Sequence, residues 1–80
     1  MAAVNAYILI QTEVGKAAAV AREIASIAGV TSAEDVTGPY DVIARVEARS
    51  LEDVMGSVVR VIQALGGITR TMTCPVAGAN

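Results

Sequence analysis

The chain reads as one unit written twice. An alternating stretch, Ala6 to Thr12, runs into a helical pattern that stops at Gly29, after which Val30-Thr31 opens a second extended stretch. From Asp41 the order recurs: an alternating stretch from Val42 to Ala48, a helical pattern stopping at Gly66-Gly67, then Ile68-Thr69 and a last extended stretch. Two strand-helix-strand units joined by right-handed crossovers interleave into a four-stranded antiparallel sheet of spatial order 4-1-3-2, with both helices on one face. The expectation is an α+β domain of ferredoxin-like βαββαβ form, whose open sheet face needs a cover.

Periodicity sets the details. In the first strand Ala6, Ile8, Ile10 and Thr12 share one face, and Tyr7, Leu9 and Gln11 the other. Both rows are largely apolar. The third strand sends Val42, Ala44, Val46 and Ala48 inward and Asp41, Ile43, Arg45 and Glu47 outward. The first helix is predicted from Gly15-Lys16 to Ala28, with Val20, Ile24 and Ile27 as its stripe and Gly29 ending it in a left-handed turn. The second begins at a capping box, Ser50-Leu51-Glu52-Asp53, and buries Leu51, Val54, Val58, Val61, Ile62 and Leu65. The second strand is placed at Thr31 to Thr37 although Ala33-Glu34-Asp35 has poor strand propensity. The fourth spans Ile68 to Cys74, with Pro75 ending regular pairing or lying at an edge, and Val76 to Asn80 reads as a frayed tail.

Eighty residues make one domain, 1–80, with its core in 5–76. A chain this short buries only about 60% of the surface its unfolded form exposes. Yet 54% of its residues are hydrophobic and the mean hydropathy is +0.55, with two Tyr, no Phe and no Trp. That is more aliphatic material than one small core consumes, and the surplus predicts a second copy on the open sheet face. A membrane span is excluded, since the most apolar window, Ala17 to Val30, is short and holds Arg22 and Glu23. No signal peptide is visible, and the lone Cys74 fits a reducing cytoplasm.

Net charge is −2 with six scattered basic residues, which argues against direct nucleic-acid binding. An RNA-recognition sheet needs exposed aromatics, and the strands offer Tyr7 alone. Catalysis is not expected either: there is no His, Cys74 has no base to activate it, and no metal-ligand cluster assembles. Neither metal nor cofactor is predicted.

One loop can carry chemistry. Thr37-Gly38-Pro39-Tyr40-Asp41 joins the second and third strands, with a Gly-Pro turn followed by an aromatic and a carboxylate. The structural reading has Tyr40 capping the core and Asp41 bonding local amides. The functional reading makes the loop a receptor for a small zwitterion, Asp41 accepting from an ammonium and loop amides donating to a carboxylate. Thr71 and Thr73, on one face of the last strand, add hydroxyls, or merely express β propensity.

These segments together resemble one family. Ala6-Tyr7-Ile8-Leu9-Ile10, Ile27-Ala28-Gly29-Val30, Val36-Thr37-Gly38-Pro39-Tyr40-Asp41-Val42-Ile43, Ser50-Leu51-Glu52-Asp53 and Arg70-Thr71-Met72-Thr73 look like the effector domain of the leucine-responsive (Lrp/AsnC) transcriptional regulators, over roughly Asn5 to Val76. The resemblance implies dimerisation through the sheets, assembly of dimers into a ring, and an amino acid held between dimers near the Gly-x-Tyr-Asp loop. Gly38, Tyr40 and Asp41 are the implied ligand-binding residues, with Thr71 and Thr73 beside them. The match starts at the effector domain, so the expectation is a stand-alone form without the family's DNA-binding helices, acting on transcription or amino-acid metabolism indirectly. Other readings stay open: a ligand-independent adaptor that co-assembles with full-length regulators, a small dimeric monooxygenase-like enzyme, and the ACT-type amino-acid-binding fold with side-by-side sheets.

Overall fold

The computed structural model describes residues 3–77. Among them are four strands, β1 (Val4–Thr12), β2 (Val30–Asp35), β3 (Val42–Ala48) and β4 (Ile68–Pro75), and two helices. The first helix, α1, is Ala17–Ala25; the second, α2, covers residues 51–63. The sheet order is β2-β3-β1-β4 with every neighbouring pair antiparallel, as the repeated unit implies.

Strand alternation builds the core. Ala6, Ile8 and Ile10 of β1 pair in register with Val46, Ala44 and Val42 of β3. All six are fully buried beneath Val20, Ala21 and Ile24 of α1 and Val54, Val58, Val59 and Ile62 of α2. The opposite row runs Ile43–Leu9–Met72 across three strands, beside a second row of Arg45, Tyr7 and Cys74. Tyr7 and Met72 leave 40% and 41% of their surfaces in solvent, so this face is an unfinished apolar surface. The Arg45 guanidinium lies over the Tyr7 ring, 5.2 Å from its centroid, and donates to its hydroxyl.

The boundaries shift where local bonds compete. β2 starts at Val30 and stops at Asp35, two residues short of Thr37, and its pairing with β3 slips between Val30 and Ser32. α1 ends at Ala25, three residues before Ala28. Ser26 Oγ donates to the Glu23 carbonyl at 2.8 Å, and the amides of Ser26 and Ile27 take tight three-residue bonds. Gly29 then turns the chain at φ +96°. At the other terminus Pro75 lies on edge strand β4 opposite Ala6. Val76 still donates to the Asn5 carbonyl at 2.9 Å, while residues 78–80 of the expected frayed tail lie outside the described residues.

α2 differs most from its sequence pattern. It begins as expected, with Ser50 Oγ accepting from the Asp53 amide at 3.1 Å. After one α turn, Leu51–Asp53, it widens into a π-helix over Val54–Val59 and returns to α-helix for Arg60–Gln63. The wider turn rotates the inward row, so Val59 is buried and Val61, expected in the core, is 45% exposed. Leu51, also expected there, lies ahead of the π segment and is 46% exposed. Full burial of such a side chain is worth about 1.5–3 kcal/mol, and that gain passes from Val61 to Val59.

Gly29 is the backbone position with least latitude. Its φ is left-handed, and an added Cβ would sit 3.1 Å from Val58 Cγ2. Gly29→Ala is expected to cost roughly 1–3 kcal/mol in urea unfolding. Gly66→Ala, whose Cβ meets nothing within 4 Å, should stay within ~0.5 kcal/mol of wild type.

Candidate functional site

The loop at residues 36–41 is held by the far end of β1. The Val36 amide donates to the Asp41 carbonyl at 2.8 Å and closes the loop on itself. The Asp41 amide donates to the Ile10 carbonyl, also at 2.8 Å. Pairing of β1 with β4 slips between Gln11 and Thr12, and the Thr12 amide donates instead to Asp41 Oδ2 at 2.8 Å. Gln11 Nε2 donates to the Pro39 carbonyl at 3.1 Å. Gln11 and Thr12 therefore act as a clamp on the loop, a role their own segment does not advertise.

Asp41 is half-buried and spends Oδ2 on the backbone, which realises the structural reading, though across 29 residues rather than locally. Oδ1 has no hydrogen-bond partner among the described residues. Tyr40 does not cap the core. Its hydroxyl points at the Met72 sulfur, 3.8 Å away, over the open sheet face. Gly38 is exposed at φ +156° with open space where a side chain would stand.

Thr71 and Thr73 lie elsewhere. They pair with Ile10 and Ile8, which puts both on the helix face, opposite Tyr40. There, with Leu51, Met55, Val59, Gln63 and Pro75, they line a groove of about 460 Å³ between α2 and β4. Gln63 Nε2 donates to Thr71 Oγ1 at 3.0 Å across it. Within one chain the five expected residues thus fall into two groups, the 38–41 loop and the Thr71–Thr73 pair, with Tyr40 and the threonines on opposite faces of one sheet. Sequence reasoning misses Leu51, Met55, Val59 and Gln63 as groove residues; their spacing of four along α2 is the available signal. A wider hollow of about 690 Å³ between α1 and Gly66-Gly67 mixes Glu13, Lys16, Arg22 and Glu23. Among the described residues no group of three or more acids, Cys or His could hold a metal ion, and no helix is long and apolar enough to cross a membrane.

Known proteins place this architecture. The family model for the Lrp/AsnC ligand binding domain matches residues 5–78. The chain belongs to that family. Its fold closely matches TTHA0845 from Thermus thermophilus, with TM-score 0.87 and 31% identity over 96% of each chain. It is similar as well to hypothetical protein PHS023 from Pyrococcus horikoshii, with TM-score 0.83 and 32% identity over 91% of this chain and 88% of that one. The transcriptional regulator NMB0573 from Neisseria meningitidis, solved as a complex with L-Met, shares the fold at TM-score 0.75 and 16% identity, 91% of this chain spanning 49% of that one. A comparison with curated proteins finds no match.

The Asp41 contact has a direct test. Asp41→Ala leaves the Thr12 amide without its charged acceptor and should cost about 1.5–3 kcal/mol of unfolding free energy in the absence of any ligand. Asp41→Asn keeps an acceptor oxygen and should lose less than half as much. Equal losses in the two variants, read from parallel urea melts, would remove the hydrogen bond as the explanation.

Proposed function

We propose that this Lrp/AsnC-type domain is an amino-acid-responsive assembly module. Two copies dimerise through the open sheet faces, further copies join the dimers into a ring, and an amino acid is held between copies. The loop Gly38 to Asp41 of one copy supplies one half-site, and Thr71, Thr73 and Gln63 of another supply the other. The observation that supports this reading is the separation of the expected residues: Tyr40 and the Thr71–Thr73 pair lie on opposite faces of the sheet, so one small molecule touching both groups needs a neighbouring chain.

The chemistry of each half suits a zwitterion. Asp41 Oδ1 is the acceptor for an ammonium group, and the exposed loop at Gly38 lets backbone amides approach a carboxylate. The groove has an apolar wall of Leu51 and Met55 for an aliphatic side chain and hydroxyls at its floor. The L-Met complex of the Neisseria meningitidis regulator motivates an amino acid as the ligand class. For the dimer, the outer row Ile43–Leu9–Met72 is apolar, and Glu34, Arg45, Glu47 and Arg70 around it balance in sign, which suits a face that pairs with itself. Nothing in this function calls for catalysis, and a cytoplasmic setting fits it.

Native mass spectrometry with and without an amino-acid panel tests assembly and ligand together. The expected result is a ring whose mass rises by one amino acid per site. Leu9→Asp should reduce it to monomer or unfold it, since an unpaired buried charge costs several kcal/mol. Gly38→Val should keep the dimer and weaken ligand binding by about 10-fold or more, as expected for loss of one charge-assisted bond. A wild-type monomer at micromolar concentration overturns the assembly; an intact ring that retains no amino acid overturns the sensor.

DNA provides a separate check. The 80-residue chain, acidic and without a basic cluster, should give no salt-sensitive gel shift by itself. A shift seen only alongside a full-length family regulator would mark an adaptor that co-assembles with it.

A further inference from the structure

α2 carries two apolar registers in one sequence. Continued as an α-helix from Val54, it would turn Val58, Val61, Ile62 and Leu65 inward. With the π segment it buries Val54, Val58, Val59 and Ile62 and leaves Val61 outside. Exchanging one register for the other swaps valine for valine, so neither drives a polar side chain into the core.

The groove depends on which register is taken. An α-helix turns about 100° per residue, so four residues overshoot a full turn by about 40°. Leu51, Met55, Val59 and Gln63 would therefore wind through about 120° along an unbroken α-helix. Hydrogen bonds reaching five residues rather than four turn the chain less per residue and straighten these four positions into one row. That row is the groove wall, and it delivers Gln63 Nε2 to Thr71 Oγ1. Gly56 lies within the π segment, and a Cβ there would touch nothing within 4 Å, so no packing contact requires glycine. Its effect is on the helix: glycine is among the weakest α-formers and lowers the cost of leaving α geometry.

We propose that α2 is a two-register element. In the π register Val59 is in the core, the groove wall is straight and Gln63 sits on Thr71. In the α register Val61 takes the place of Val59, and Gln63 swings away from β4. A ligand in the groove meets Val59 and Gln63 together only in the π register and shifts the helix toward it. This last step rests on the groove being a ligand half-site; the two registers do not.

Relaxation-dispersion NMR on the ligand-free protein tests the element. Helix register shifts fall in the microsecond-to-millisecond range, so exchange is expected at the amides of residues 54–63 and at the Gln63 side chain. Deleting Ser57 lets a plain α-helix present the same row, so exchange should vanish while the nuclear Overhauser contact between Gln63 and the Thr71 methyl persists. Val61→Gln penalises the α register and should quench exchange in the same way. Val59→Gln penalises the π register and should abolish the Gln63–Thr71 contact; should that variant fail to fold, the other two decide. Flat dispersion in wild type, or exchange unchanged by the Ser57 deletion, overturns the proposal. Exchange that no amino acid quenches leaves the two registers standing and removes the groove as a ligand half-site.

Discussion

The central strand β1 is the element on which the rest of the structure depends. It is paired on both sides, with β3 and with β4, and its inward residues Ala6, Ile8 and Ile10 have no solvent exposure. Two of the six in-register core positions of β1 and β3 are alanine, which lets α1 and α2 approach the sheet closely. The same strand then anchors the candidate loop at its far end, through the Ile10 carbonyl, the Gln11 amide group and the Thr12 N–H. Core and loop are therefore one mechanical unit. A change that slips β1 by one residue turns its core row to the open face and removes the loop's three anchors together.

What the sequence discloses follows from which interactions are periodic. β1 and β3 are legible because alternation is a property of the strand alone, and Ser50 because a capping box is local. β2 is legible in its partner but not in its end, since its Ser-Ala-Glu-Asp run carries little strand preference and is fixed by pairing with Ala44 and Ile43. α2 departs from its pattern at Val59 and Val61 because a stripe is drawn assuming a constant turn per residue, and the π segment breaks that assumption.

The loop shows the same division. Its residue types announce a polar, tightly turned segment, and the family resemblance singles out Gly38, Tyr40 and Asp41. That Asp41 accepts from Thr12 is not readable, because the Thr12 amide is released by an irregularity in pairing with a strand some 60 residues on. Alternation alone puts Thr71 and Thr73 on a shared face. Which face is settled only by their register against Ile10 and Ile8. The separation of the expected residues into two groups is thus a tertiary fact built from residues that are individually visible.

That separation has a thermodynamic consequence for the proposed function. A ligand whose partners lie on two chains binds the assembly and not its pieces, so ligand affinity and assembly affinity must rise together by the same factor. At a concentration one hundred times its dissociation constant, such a ligand stabilises the assembled state by about 2.7 kcal/mol per site. For a domain of this size, whose own core is small, that is a large share of the stability it can hold alone. A single-chain pocket of equal affinity would report ligand only to its own fold. In the proposed function, half-sites divided between the loop after β2 and the groove beside β4 would turn the same contacts into a signal read as association.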